Sequence, residues 1–166
     1  MDDRLKFRAW VEDVSLEDEN GNEYKKSFMI YDIAVFGGCR VGHYKEDLER
    51  QLESQGFSED EIKQFENDWC SEDGNDWLNF DADEIEQCTG LKDKNGKLIY
   101  EGDIVELTRS RNYGWVKKGA KLKVQWNTFN CCGFGFGTLG NLTEKCATNC
   151  IVIGNIHENP DLIKSL

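Results

Sequence analysis

The chain has 166 residues, 39% of them hydrophobic, with 32 acids against 20 Lys and Arg for a net charge of −12. That allows one compact domain, or one domain with a sizeable insertion, and 16 Gly with a single Pro fit short strands and tight turns better than a disordered tail. No apolar stretch approaches the ~20 residues of a membrane span and no apolar leader follows Met1, so a cytoplasmic protein is expected.

Leu5 to Val11 alternates near period two and predicts a strand, and Glu19-Asn20-Gly21-Asn22 predicts a turn. Ser27 to Phe36 is rich in β-branched and aromatic residues and predicts a second strand, broken by Gly37-Gly38. Lys45 to Gln55 then places Leu48 and Leu52 four apart among charges, an amphipathic helix ended by Gly56. Ser58 with Glu61 forms a capping box, and Ile62, Phe65 and Trp69 follow at helical spacing, so a second helix runs over about 59–70. The short link between them predicts an αα-hairpin. Ser71 to Glu86 is acidic and reads as turns. From Gln87 on, strands are expected at 98–100, 103–107, 121–126 and 150–153, around an Asp93-Lys94-Asn95-Gly96 turn.

Charge is uneven along the chain. Residues 36–90 hold 16 acids and four bases, whereas residues 91–166 hold seven acids and 11 bases. Such asymmetry points to an electrostatic partner or to pairing between segments.

Three stretches carry a family resemblance. They are Lys6-Phe7-Arg8-Ala9-Trp10, the 17 residues from Thr89 to Val105 (TGLKDKNGKLIYEGDIV), and Val152-Ile153-Gly154-Asn155-Ile156-His157-Glu158-Asn159-Pro160-Asp161-Leu162. Together they resemble the YopX family of bacteriophage and prophage proteins. Cys88 and His157 depart from it, standing where an aromatic residue and Tyr are usual. The resemblance implies a small SH3-like β-barrel and oligomers, and it brings no catalytic residues. The expected fold is therefore mainly β (α+β): a barrel from residues 1–36 and 87–166, with an acidic helical insertion over 37–86.

The sequence argues against the common chemistries. Of seven Cys, only Cys146 and Cys150 form a spaced pair; Cys39 and His43 repeat the interval and Cys131-Cys132 are adjacent, but no second tight pair completes a zinc site. With no secretory leader the thiols read as reduced core residues. The acids of 72–86 lack EF-hand spacing. Gly135 to Gly140 matches G-x-G-x-x-G, but turn and strand residues follow it, so it reads as a Gly-rich hairpin. Two His and no G-x-S-x-G leave no catalytic set. No metal, no cofactor and no enzymatic activity are expected.

Two binding surfaces remain. The first is acidic: Glu59, Asp60, Glu61, Glu66, Asp68, Trp69, Glu72, Asp73, Asp76, Trp77, Asp81, Asp83 and Glu84. Its carboxylates suit the basic groove of a host protein, as duplex phosphates at one charge per ~1.7 Å do, with aromatic anchors among them. An inhibitor of a nucleic-acid-binding or restriction/CRISPR-type defence factor is the sharpest form of this reading. The second is basic and aromatic: Arg109, Arg111, Tyr113, Trp115, Lys117, Lys118, Lys121 and Lys123, suited to nucleic acid. A third alternative is self-assembly, with the acidic insert of one copy on the basic hairpin of another.

Overall fold

The computed structural model describes residues 6–37, 40–69, 77–109, 116–127 and 133–163. The chain is mainly β. It forms two compact units, Lys6–Ile85 and a second that runs from Glu86 onward.

In the first unit β1 (Phe7–Glu17) pairs antiparallel with β2 (Glu23–Tyr31), Ala9 opposite Ile30 and Val11 opposite Phe28. The register shifts between Val11 and Val14, where Asp13 takes φ 56 and its N–H is received by the Ser27 hydroxyl at 2.9 Å. Asp18 holds the connecting turn by accepting from the Asn20 and Asn22 N–H groups. The single strand expected over 27–36 is divided. Asp32 adopts φ 57, a left-handed conformation that Asp tolerates, and ends β2. A new strand β3 (Ala34–Gly37) follows, then β4 (Arg40–Tyr44).

The helices α1 (Lys45–Ser54) and α2 (Glu59–Trp69) connect β4 to β5 (Trp77–Asp81), and β3, β4 and β5 form one antiparallel sheet in that order. Neither β4 nor β5 was expected. Each is only five residues long, set among turn and acidic residues, and it is pairing with a neighbour that makes it a strand. Local signals are obeyed more closely. Gly56, at φ 85, gives its N–H to the Glu53 carbonyl and Phe57 gives its N–H to Leu52, a Schellman end to α1. The Ser58 hydroxyl accepts from the Glu61 N–H at 3.3 Å while Glu61 accepts from the Ser58 N–H at 2.6 Å, which completes the predicted capping box.

Those two ends aim the apolar stripes inward. Leu48, Leu52, Ile62 and Phe65 are buried with Ala9, Val11, Phe28 and Ile30 in one core. Phe28 meets the rings of Phe57 and Phe65 edge-on at 5.0 and 5.2 Å. The helical hairpin thus shares its core with the first two strands.

β6 (Glu84–Lys92) carries the chain into the second unit. There follow β7 (Leu98–Tyr100), β8 (Asp103–Leu107), β9 (Lys121–Lys123), β10 (Gln125–Asn127), β11 (Gly133–Gly135), α3 (Glu144–Ala147) and β12 (Cys150–Asn155). β8 is central in the antiparallel sheet β12-β8-β9, and β10 pairs with β11. Ile99, Val105, Leu107, Leu122, Val124 and Phe136 form its core. The glycine run lies on β11 and the single 3-10 turn Gly137–Leu139, with Gly135 bridged antiparallel to Asn141, so no helix starts there to receive a phosphate. Among the described residues no helix is long and apolar enough to cross a membrane.

Candidate interaction surface

The acidic residues of α2 divide by helical position. Glu59 and Asp60 lie in its first turn and face solvent. Glu59 accepts from the Lys63 ammonium at 2.8 Å, and that bond holds its carboxyl below the usual range. Asp83 is exposed and accepts the Glu12 N–H at 2.7 Å; Glu84 is exposed at the start of β6.

Glu61 and Glu66 sit on the other side of the helix, 8% and 7% exposed. Glu61 receives the Lys26 ammonium at 2.6 Å, the Tyr24 hydroxyl at 2.7 Å and the Ser58 N–H. Burial works to raise its carboxyl, but these three donors outweigh it and hold the group down at about 2. The same bond to Glu61 pushes the Tyr24 phenol up to about 12. Lys26 also lies 4.1 Å from the centre of the Phe57 ring. Glu66 is bound to the Lys45 ammonium at 2.9 Å. Both glutamates therefore serve the packing of the hairpin.

Asp68 and Trp69 lie in the last turn of α2, and Trp77 and Asp81 on β5, with their side chains outside the described structure. Glu72, Asp73 and Asp76 lie outside the described residues. The surface gains members the sequence reading passed over. Glu46, Asp47 and Glu53 are exposed on α1, and Asp13, Glu17, Asp18 and Glu19 on β1 and its turn. Their signal was present in the count: residues 1–85 hold 24 acids against nine bases, and residues 86–166 hold eight against 11.

Beside α1 lies a shallow cleft of about 500 Å³, with His43 and Gln51 at its base and Asp32, Tyr44, Asp47 and Arg50 around it. Arg50 is 2.8 Å from Asp47, and Asp32 is 3.4 Å from Lys6, so its charges are matched within the unit. Tyr44 is 61% exposed.

In the second unit Arg109, Lys117 and Lys118 are exposed, and Lys121 and Lys123 are half-buried on β9. Arg111, Tyr113 and Trp115 lie outside the described residues. Trp126 is 47% exposed and meets Phe134 edge-on at 5.0 Å. The second and third of the stretches that carried the family resemblance are tied together by the buried Asp93. Asp93 accepts from Asn95 and Lys97 in its own turn and from Val152 on β12. Asp103, 1% exposed, accepts from the Tyr100 N–H. His157 Nε2 stands 3.3 Å from Glu86 Oε1, both side chains nearly buried, a partnership that no spacing in the sequence announces. Cys88 is buried against the Ile99 carbonyl.

Comparison with known proteins adds three findings. A family model described as YopX protein matches residues 38–164. No curated protein sequence matches this chain. The crystal structure of protein EF1440 from Enterococcus faecalis is similar at 19% identity and a TM-score of 0.42, over 94% of this chain and 97% of that one.

Proposed function

The chain belongs to the YopX protein family, and from that premise we propose a non-enzymatic bacteriophage or prophage accessory protein that binds a protein of the bacterial host through its acidic helical hairpin. The observation that carries this reading is the exposed acid on Lys6–Ile85. Glu46, Asp47, Glu53, Glu59 and Asp60 line the two helices, and Asp83 and Glu84 follow β5. The buried pair Glu61 and Glu66 is assigned to scaffolding, and the contact to the exposed residues. In this reading the SH3-like barrel belongs to the second unit, where the antiparallel β12-β8-β9 sheet and the β10–β11 pair support it.

The chemistry favours a basic partner. A surface rich in carboxylates speeds encounter with a cationic groove and loses that advantage as salt rises. A host nucleic-acid-binding or defence factor has such a groove. Affinity capture from host lysate tests this, with the wild type beside a variant carrying Glu46→Gln, Asp47→Asn, Glu53→Gln, Glu59→Gln and Asp60→Asn. The reading expects partners retained by the wild type and lost by the variant; the same partners on both sinks it.

Trp126 favours a second reading, single-stranded nucleic acid on the second unit. A half-exposed indole beside lysine-bearing β9 is a stacking platform of the kind such proteins use. Trp126→Ala should then abolish a low-salt shift of labelled single strands, and the absence of any shift in the wild type removes this reading. The opposite charge balance of the two segments also supports self-association, which light scattering at low salt detects.

A further inference from the structure

α1 and α2 meet along a seam where two carboxyl groups come together. The Lys45 ammonium stands 2.9 Å from Glu66 Oε2 and 3.9 Å from Glu49 Oε1. Glu66 is 7% exposed, and its other oxygen, Oε1, is buried with no hydrogen-bond donor among the described residues. Buried acceptors are almost always satisfied, because burial strips the water that would otherwise bind them. Glu49 and Glu66 thus bring their carboxyls to the same Lys45 ammonium.

Among the described residues, the other charged groups do not supply the missing donor. Lys45 already serves Glu66 Oε2, and Lys63 is held 2.8 Å from Glu59. Glu53, the next acid along α1, acts on Glu49 only as a further negative charge. Of the described titratable side chains on β2 and β4, three are bound elsewhere. Tyr24 and Lys26 go to Glu61, and His43 goes to Gln51 and the Tyr31 and Tyr44 carbonyls.

We propose that this seam is a proton-binding site in which Glu49 takes one proton from solvent and donates it to Glu66 Oε1. The pair then carries one negative charge in place of two, and Lys45 faces that charge. The shared proton satisfies the orphan oxygen and removes a like-charge contact between the helices at once. The contact with Glu66, and then burial, raise the Glu49 carboxyl above its ordinary range. A carboxyl raised in the folded state binds its proton more tightly there than in the unfolded chain. Its stabilising effect is complete below the ordinary glutamate value and is lost as pH rises through the raised one. Mild acidification therefore tightens the hairpin, and a return to neutral pH loosens it. This inference does not depend on what the acidic surface binds.

The test is site-resolved carbon NMR of the glutamate carboxyls in the full chain, with thermal melts across the same pH range. Glu49 should titrate above the ordinary glutamate range, and Glu66→Gln should return it there. In Glu49→Gln the carboxamide supplies a permanent donor to Glu66 Oε1, so the rise in Tm on mild acidification should be lost while Tm at neutral pH is kept or raised. Should Glu66→Gln fail to fold, Glu49→Gln, at a 38% exposed side chain, carries the test alone. Three results overturn the proposal. Glu49 titrates in the ordinary range in the wild type; Glu49→Gln keeps the wild-type pH slope; or calcium or magnesium raises Tm in the wild type and not in Glu49→Gln, which assigns the orphan oxygen to a metal.

Discussion

Gln51 binds Tyr31 as a neighbouring strand binds its partner: its Oε1 accepts the Tyr31 N–H at 2.8 Å and its Nε2 donates to the Tyr31 carbonyl at 3.1 Å. One turn on, Gln55 repeats this with Met29, at 3.2 and 2.8 Å. The match is geometric. Four helical residues rise ~6 Å, close to the ~6.6 Å of two strand residues, so side chains at i and i+4 keep register with alternate residues of β2. Gln64 of α2 does the same for Glu17 on β1, at 2.8 and 2.9 Å.

These amides close a strand edge that would otherwise offer unpaired N–H and C=O groups to another chain. Gln51→Ala with Gln55→Ala should cost about 2–4 kcal/mol, from partners lost at four part-buried backbone groups. Urea melts give that value. Sedimentation should show association that depends on concentration more steeply than in the wild type.

Glu61 joins α2 to β2, and Glu61→Ala should cost about 2–4 kcal/mol, since it removes a cap and the ion-pair partner of the Lys26 ammonium. Its depressed carboxyl also fixes a pH dependence. A group lowered to about 2 in the fold, against an ordinary 4.5, contributes stability that is full above 4.5 and lost as pH falls toward 2. That window lies below the one in which Glu49 acts with opposite sign. Melts of wild type and Glu61→Gln across acid pH separate them: Glu61→Gln should flatten the lower limb and leave the upper one unchanged.

Gly102 is left-handed at φ 77, and a Cβ there would overlap the Glu86 carboxylate. Gly102→Ala should cost about 3 kcal/mol or more, combining backbone strain with displacement of a buried acid paired to His157. Adding Glu86→Ala should recover the collision but not the ~1 kcal/mol of left-handed strain. Denaturant midpoints of the single and double variants check this. Equal stability of Gly102→Ala and wild type contradicts it.

Legibility in the sequence followed locality. The capping box at Ser58, the end of α1 at Gly56 and the turn at Asp93 each lie within a few residues, and each formed as the residues dictate. Asp32 cut a strand because one left-handed residue outweighs a run of apolar neighbours. β4 and β5 were hidden because short strands are defined by partners distant in sequence. Among the candidate site residues, Glu61 carried two readings at once, capping residue and surface acid. Burial with Tyr24 and Lys26, 37 and 35 residues away, makes it structural. The glutamines of α1 look like any polar helix face until β2 is laid beside them.

The most direct measurement of the central claim is the salt dependence of binding to a captured host protein, compared between the wild type and the variant neutralised at Glu46, Asp47, Glu53, Glu59 and Asp60. The acidic-surface account predicts affinity that falls steeply with salt in the wild type, and a variant that binds weakly with little salt dependence. Equal affinity and equal salt slopes, with both proteins folded, would contradict it.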